Sequence, residues 1–98
     1  MDTSGRAARL PLKFCGITRL DGLRTALSLN ARAVGFNLYP KSKRFISVDA
    51  VQSILSAVSA NERLRIDIWL VVVNARISDL ISALKTTGAD VVQLHGDE

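Results

Sequence analysis

Apolar residues along the chain follow two rhythms. Short runs of strand length begin near residues 12, 33, 66 and 91, and between them the apolar positions repeat every three or four residues. Leu12-Lys13-Phe14-Cys15 alternates and predicts a strand that Gly16 closes. Thr18-Arg19-Leu20-Asp21 has the spacing of a capping box, and Leu20, Leu23, Ala26, Leu27 and Ala31 follow on one helical face. Gly22 weakens that helix by about 1 kcal/mol relative to Ala. Ala33-Val34-Gly35-Phe36 predicts the second strand, and Tyr39 to Arg44 form a polar loop. Ser47 is suited to an N-cap and Asp49 to the first helical turn. Val48, Val51, Ile54, Leu55 and Val58 then share a face. Asn61 to Arg65 read as a connector to Ile66–Val73, whose unbroken apolar stretch fits a strand covered on both faces. Ile77, Leu80, Ile81 and Leu84 mark a third helix, with Lys85 in its last turn and Gly88 placed to end it. Val91 to Leu94 predict the fourth strand.

The order β-α-β-α-β-α-β implies an α/β fold with a parallel sheet, because each gap between strands has room for a crossover helix. About four parallel strands and three helices are expected, in sequential order. Residues 1–11, small and polar up to Pro11, read as a flexible leader. Cys15, Asn37, Asn74 and His95 each stand at a strand's carboxyl end, the side on which parallel α/β folds bind ligands. Strands leaving any core also meet polar residues, and pattern alone leaves both readings open.

Composition narrows the classes. The 98 residues allow one domain, and 48% hydrophobic content with 22% charged is globular. No apolar run approaches the ~20 residues of a membrane helix. One cysteine excludes an internal disulfide framework and a Cys-rich zinc site. The net charge of +4 is spread along the chain, and its only dense cluster is Lys41, Lys43 and Arg44 in one loop. No nucleic-acid partner is expected from that distribution. The N-terminus lacks the apolar core of a secretory signal.

Three segments carry more than pattern. They are Lys13-Phe14-Cys15-Gly16-Ile17-Thr18, then Gly35-Phe36-Asn37-Leu38-Tyr39-Pro40-Lys41-Ser42-Lys43-Arg44-Phe45-Ile46-Ser47, and Val91-Val92-Gln93-Leu94-His95-Gly96-Asp97-Glu98. In this order and spacing, with Val72-Val73-Asn74-Ala75, the chain resembles the phosphoribosylanthranilate isomerases of tryptophan biosynthesis over residues 12–98. The resemblance implies the N-terminal half of a (β/α)₈ TIM barrel, truncated after strand four. Trp69-Leu70 departs from the smaller, glycine-containing stretch usual in the family. Phe14, Phe36 and Trp69 are expected on the inner face of the half-barrel.

The same resemblance implies an Amadori rearrangement of N-(5-phosphoribosyl)anthranilate, with no cofactor or metal, in the cytoplasm. Cys15 matches the family's general base, which acts as the thiolate. Arg44 matches the arginine that meets the anthranilate carboxylate, a contact suited to a planar guanidinium. His95 is a substrate-binding candidate, while Asn37 and Asn74 are weaker ones and Asp97 is expected to cap a following helix. The family's general acid and its phosphate-binding loops lie on later strands, so the 98 residues by themselves are expected to be inactive. The alternative is a non-catalytic half-barrel module that assembles with another chain. Open sheet edges would also favour self-association.

Overall fold

A computed structural model describes residues 9–95. The elements are β1 (Leu10–Phe14), α1 (Leu20–Ser28), β2 (Ala31–Asn37), α2 (Val48–Ser56), α3 (Ala60–Leu64), β3 (Asp67–Val73), α4 (Ile77–Thr87) and β4 (Val91–His95). The four strands form one sheet in the order β1-β2-β3-β4, and every neighbouring pair is parallel. This is the sequential arrangement that the β-α alternation predicts.

Four details differ from expectation. β1 starts at Leu10, so it includes Pro11 and takes the last two residues assigned to the leader. Proline is tolerated there because β1 is an edge strand of the described sheet. Arg9 is described and lies 3.6 Å from Asp67, while residues 1–8 of that leader lie outside the described residues, as does Asp97. Helices number four among the described residues, because the supposed connector holds the one-turn helix α3. Its capping box is complete: Ser59 Oγ accepts from Glu62 N at 3.1 Å, and Glu62 Oε1 accepts from Ser59 N at 2.9 Å. The box predicted at Thr18–Asp21 does not form; Arg19 precedes the first turn of α1 without a side-chain cap. Asp21 instead lies 3.5 Å from the exposed Arg19 guanidinium.

The fourth difference concerns the faces of the sheet. Side chains alternate along a strand, and the register pairs Gly35 with Trp69 and Phe36 with Leu70. Phe36 and Trp69 therefore stand on opposite faces. Phe36 is fully buried with Val34, Ile68 and Leu70 beneath Leu23, Leu27, Val51 and Ala83 of the helices, and Phe14 packs against that cluster. Trp69 is the residue that occupies the other face, together with Lys13, Gly35 and Gln93. The core thus lies between sheet and helices, and the polar odd-numbered positions of β1, β2 and β4 are left for the opposite surface.

Two local devices fix the register at the ends of the strands. Asp90 N donates to Ile68 O at 2.8 Å, and Asp90 Oδ2 accepts from Ile68 N at 2.8 Å. This double link holds the start of β4 beside β3. Gly88 ends α4 in the left-handed conformation (φ 68°), as its sequence position predicts.

Candidate active site

All four strands run the same way, so their carboxyl ends form one rim. Cys15 follows β1 directly and is exposed. Gly16 takes φ +75°, which turns the chain away from the sheet, and Ile17 N donates to Gly35 O at 3.1 Å. That conformation favours glycine. Gly35 on β2 leaves the space beside the thiol open: a methyl group there would lie 3.6 Å from Cys15 Sγ and 3.5 Å from Lys13 Cε.

The β2–α2 loop brings Arg44 to the same place. Asn37 closes the loop at both ends. Its Oδ1 accepts from Tyr39 N at 2.9 Å, and its carbonyl accepts from Ile46 N at 2.9 Å. Within the loop, Ser42 N donates to Tyr39 O and Ser42 Oγ accepts from Arg44 N. These turns lay the Arg44 side chain over Gly16. A methyl at Gly16 would overlap Arg44 Cδ and come within 3.0 Å of its Nη1. The Arg44 side chain is therefore packed against the residue after Cys15.

His95 ends β4 in register with Val73. Three polar contacts run from it along the face of the sheet opposite the helices. His95 Nε2 lies 2.9 Å from Gln93 Nε2. Gln93 Oε1 accepts from Lys13 Nζ at 2.8 Å, and that ammonium sits 3.7 Å from the centre of the Trp69 ring. The chain Lys13–Gln93 joins the two edge strands of the described sheet. Sequence reasoning gave Lys13, Gln93 and Trp69 no role in the site. The available signal was Lys13 and Gln93 as polar residues inside otherwise apolar strands.

Cys15, Arg44 and His95 thus belong to one rim. Asn37 serves the loop that carries Arg44. Asn74 takes φ 49° between β3 and α4, and Arg76 occupies the N-cap of α4. Lys41 and Lys43 are exposed. An apolar cleft of about 290 Å³ between Leu38, Val48, Val72 and Leu80 lies on the helix side and includes none of the three rim candidates. We regard the rim as the chemically competent region, because a thiolate can remove a proton, a guanidinium can hold a carboxylate and an imidazole can donate or accept. Among the described residues, no group of three His, Cys, Asp or Glu side chains could hold a metal ion. No helix among them is long and apolar enough to cross a membrane.

Comparison with known proteins adds ancestry. The model of the N-(5'-phosphoribosyl)anthranilate (PRA) isomerase family matches residues 12–98. The N-(5'-phosphoribosyl)anthranilate isomerase of Acinetobacter calcoaceticus is 36% identical over 90 residues, which is 92% of this chain and 40% of that protein. The crystal structure of phosphoribosyl anthranilate isomerase from Thermus thermophilus superposes with a TM-score of 0.79 at 31% identity, covering 91% of this chain and 42% of that one. A second isomerase structure, in complex with reduced 1-(o-carboxyphenylamino)-1-deoxyribulose 5-phosphate, also gives 0.79, at 34% identity, covering 88% of this chain and 42% of the other. The chain spans about 40% of the length of the curated relatives it matches. These neighbours are TIM barrels, and the four parallel strands described above correspond to the N-terminal half of one. By sequence and by fold, the chain belongs to the N-(5'-phosphoribosyl)anthranilate isomerase family.

Proposed function

We propose that these residues supply the general base and the carboxylate contact of an isomerase carrying out the Amadori rearrangement of N-(5-phosphoribosyl)anthranilate. A general acid protonates the furanose oxygen and the ring opens to an iminium. The Cys15 thiolate then takes the proton from C2 of the sugar, and the enolamine tautomerises to the ketone. Arg44 holds the anthranilate carboxylate, and His95 makes a further substrate contact. The acid and the phosphate loops belong to parts of the barrel that these 98 residues do not include. Residues 12–98 are thus read as half of one barrel domain, in a cytoplasmic enzyme that takes a phosphorylated substrate.

The observation that carries this reading is the packing of Arg44 on Gly16. It puts a cation beside the residue that follows the one thiol of the chain, and position 35, near that thiol, carries no side chain. An aromatic carboxylate held at Arg44 would keep its attached sugar near Cys15. Orientation of that kind is a large part of catalysis in such reactions.

Complementation in a tryptophan auxotroph lacking the isomerase tests the proposal. The 98-residue chain alone should not restore growth. Co-expressed with the C-terminal half of a relative, it should. Failure of that pair, while the relative's own two halves succeed, would overturn the catalytic reading. It would favour the alternative of a non-catalytic half-barrel that assembles with another chain. Exposed Leu10, Leu12 and Leu94 on the two edge strands support assembly of some kind, including self-association.

A further inference from the structure

The contacts around Gln93 decide where the proton of His95 sits. A lysine ammonium can only donate. Lys13 Nζ lies 2.8 Å from the Gln93 amide, so the amide oxygen must face Lys13. The NH₂ end of Gln93 then faces the other way, 2.9 Å from His95 Nε2. Two N–H groups cannot share that contact. Nε2 must present its lone pair, and a neutral ring then carries its proton on Nδ1.

We propose that Lys13 is a positioning residue that acts through Gln93 to hold His95 as the Nδ1–H tautomer. Free histidine side chains favour Nε2–H, so the sheet imposes the less common form. Two features keep Lys13 in place for this. Its Cε lies along Gly35 of β2, 3.5 Å from where a methyl on that glycine would stand. The Trp69 ring then holds the ammonium 3.7 Å from its centre, a cation–π contact. The consequence at the rim is a ring whose Nδ1–H is a donor for an acceptor oxygen of the ligand. This last step rests on the reading of His95 as a substrate contact; the tautomer does not.

The chain has a single histidine, so one ring dominates a histidine-labelled ¹H–¹⁵N long-range spectrum. It should be recorded without substrate at mildly alkaline pH, between the ordinary histidine and lysine titrations. The expected wild-type result is Nδ1–H. Lys13→Met removes the donor but keeps an apolar stem on Trp69, and should return the ring to the ordinary mixture rich in Nε2–H. Gln93→Glu provides two acceptor oxygens, so it should keep Lys13 and invert the tautomer to Nε2–H. This near-isosteric variant decides the matter if Lys13→Met does not fold. A wild-type Nε2–H ring, or an Nδ1–H ring surviving in Gln93→Glu, would overturn the proposal. In a full-length isomerase carrying these residues, Gln93→Glu should raise KM about three- to tenfold, the scale of one neutral hydrogen bond. An unchanged KM with the tautomer inverted would overturn the substrate contact of His95 through Nδ1–H. Absence of turnover in the parent enzyme would instead count against the proposed function and leave the spectrum as it stands.

Discussion

The side chain of Arg44 occupies the space that a Cβ on Gly16 would need. Two constraints therefore meet at one residue, a positive φ and a close approach. Gly16→Ala should cost roughly 1–2 kcal/mol in backbone strain, since an L side chain disfavours the left-handed region by about that amount. It should also push Arg44 off the rim. The urea midpoint of the variant checks the first part, and a rise in KM in a full-length enzyme checks the second. A variant with wild-type midpoint and KM would mean that neither constraint operates.

Cys15 should behave as a base and not as a binding group. In a full-length isomerase carrying this segment, Cys15→Ser should lower kcat by about 10²-fold or more, the scale of a positioned general base. KM should change little. Steady-state kinetics separates the two, and near-normal kcat would assign the base to another group.

Arg44 should show the reverse pattern. A carboxylate contact made in both ground and transition states affects KM more than kcat. A charge-assisted hydrogen bond of about 1.5–3 kcal/mol predicts a rise in KM of roughly ten- to a hundredfold for Arg44→Ala. Equal loss in kcat and kcat/KM, with KM constant, would place Arg44 in the chemical step instead.

Acid stability should depend on Glu62. The backbone hydrogen bond from Ser59 holds its carboxyl below the ordinary glutamate value; desolvation opposes it, and the charge of Arg24 assists. A lowered native value means that the ionised form stabilises the fold. The contribution is complete above the ordinary glutamate pKa and is lost as the pH falls through the lower native one. Glu62→Gln should flatten that part of the stability–pH curve, as followed by chemical denaturation at several acidic pH values. An unchanged slope would show that the carboxylate's charge is not involved.

Much of this architecture is legible in the residues. The four strands fall where the apolar runs predict, and β2 and β3 are displaced by no more than two residues from their predicted starts. The two capping-box spacings show where such reading stops. Ser59 with Glu62 forms the box, and Thr18 with Asp21 does not. The box calls for a Glu or Gln long enough to reach back to the N-cap amide, and aspartate is one methylene shorter. Trp69 and Phe36 make a similar point. Large apolar residues suggest a core, but only the register tells which face each one takes.

The site divides the same way. Cys15, Arg44 and His95 stand in recognisable motifs, and parallel topology alone puts their strand ends on one rim. The seating of Arg44 on Gly16 depends on loop turns anchored by Asn37, which no spacing in the sequence announces. Lys13 and Gln93 are 80 positions apart. Nothing local links them; the sheet does so by bringing both side chains onto the face that carries Trp69.

That separation also orders events in time. Adjacent strands can pair once the one crossover between them has formed, whereas the bond from Lys13 to Gln93 needs β2 and β3 already seated between its partners. It is therefore a late contact in folding, and during synthesis the lysine is made long before its glutamine. Until β4 docks, the ammonium has no amide to hold and Gln93 has no fixed orientation. The setting of His95 is thus acquired only when β4 docks, after the hydrophobic layer that supports it.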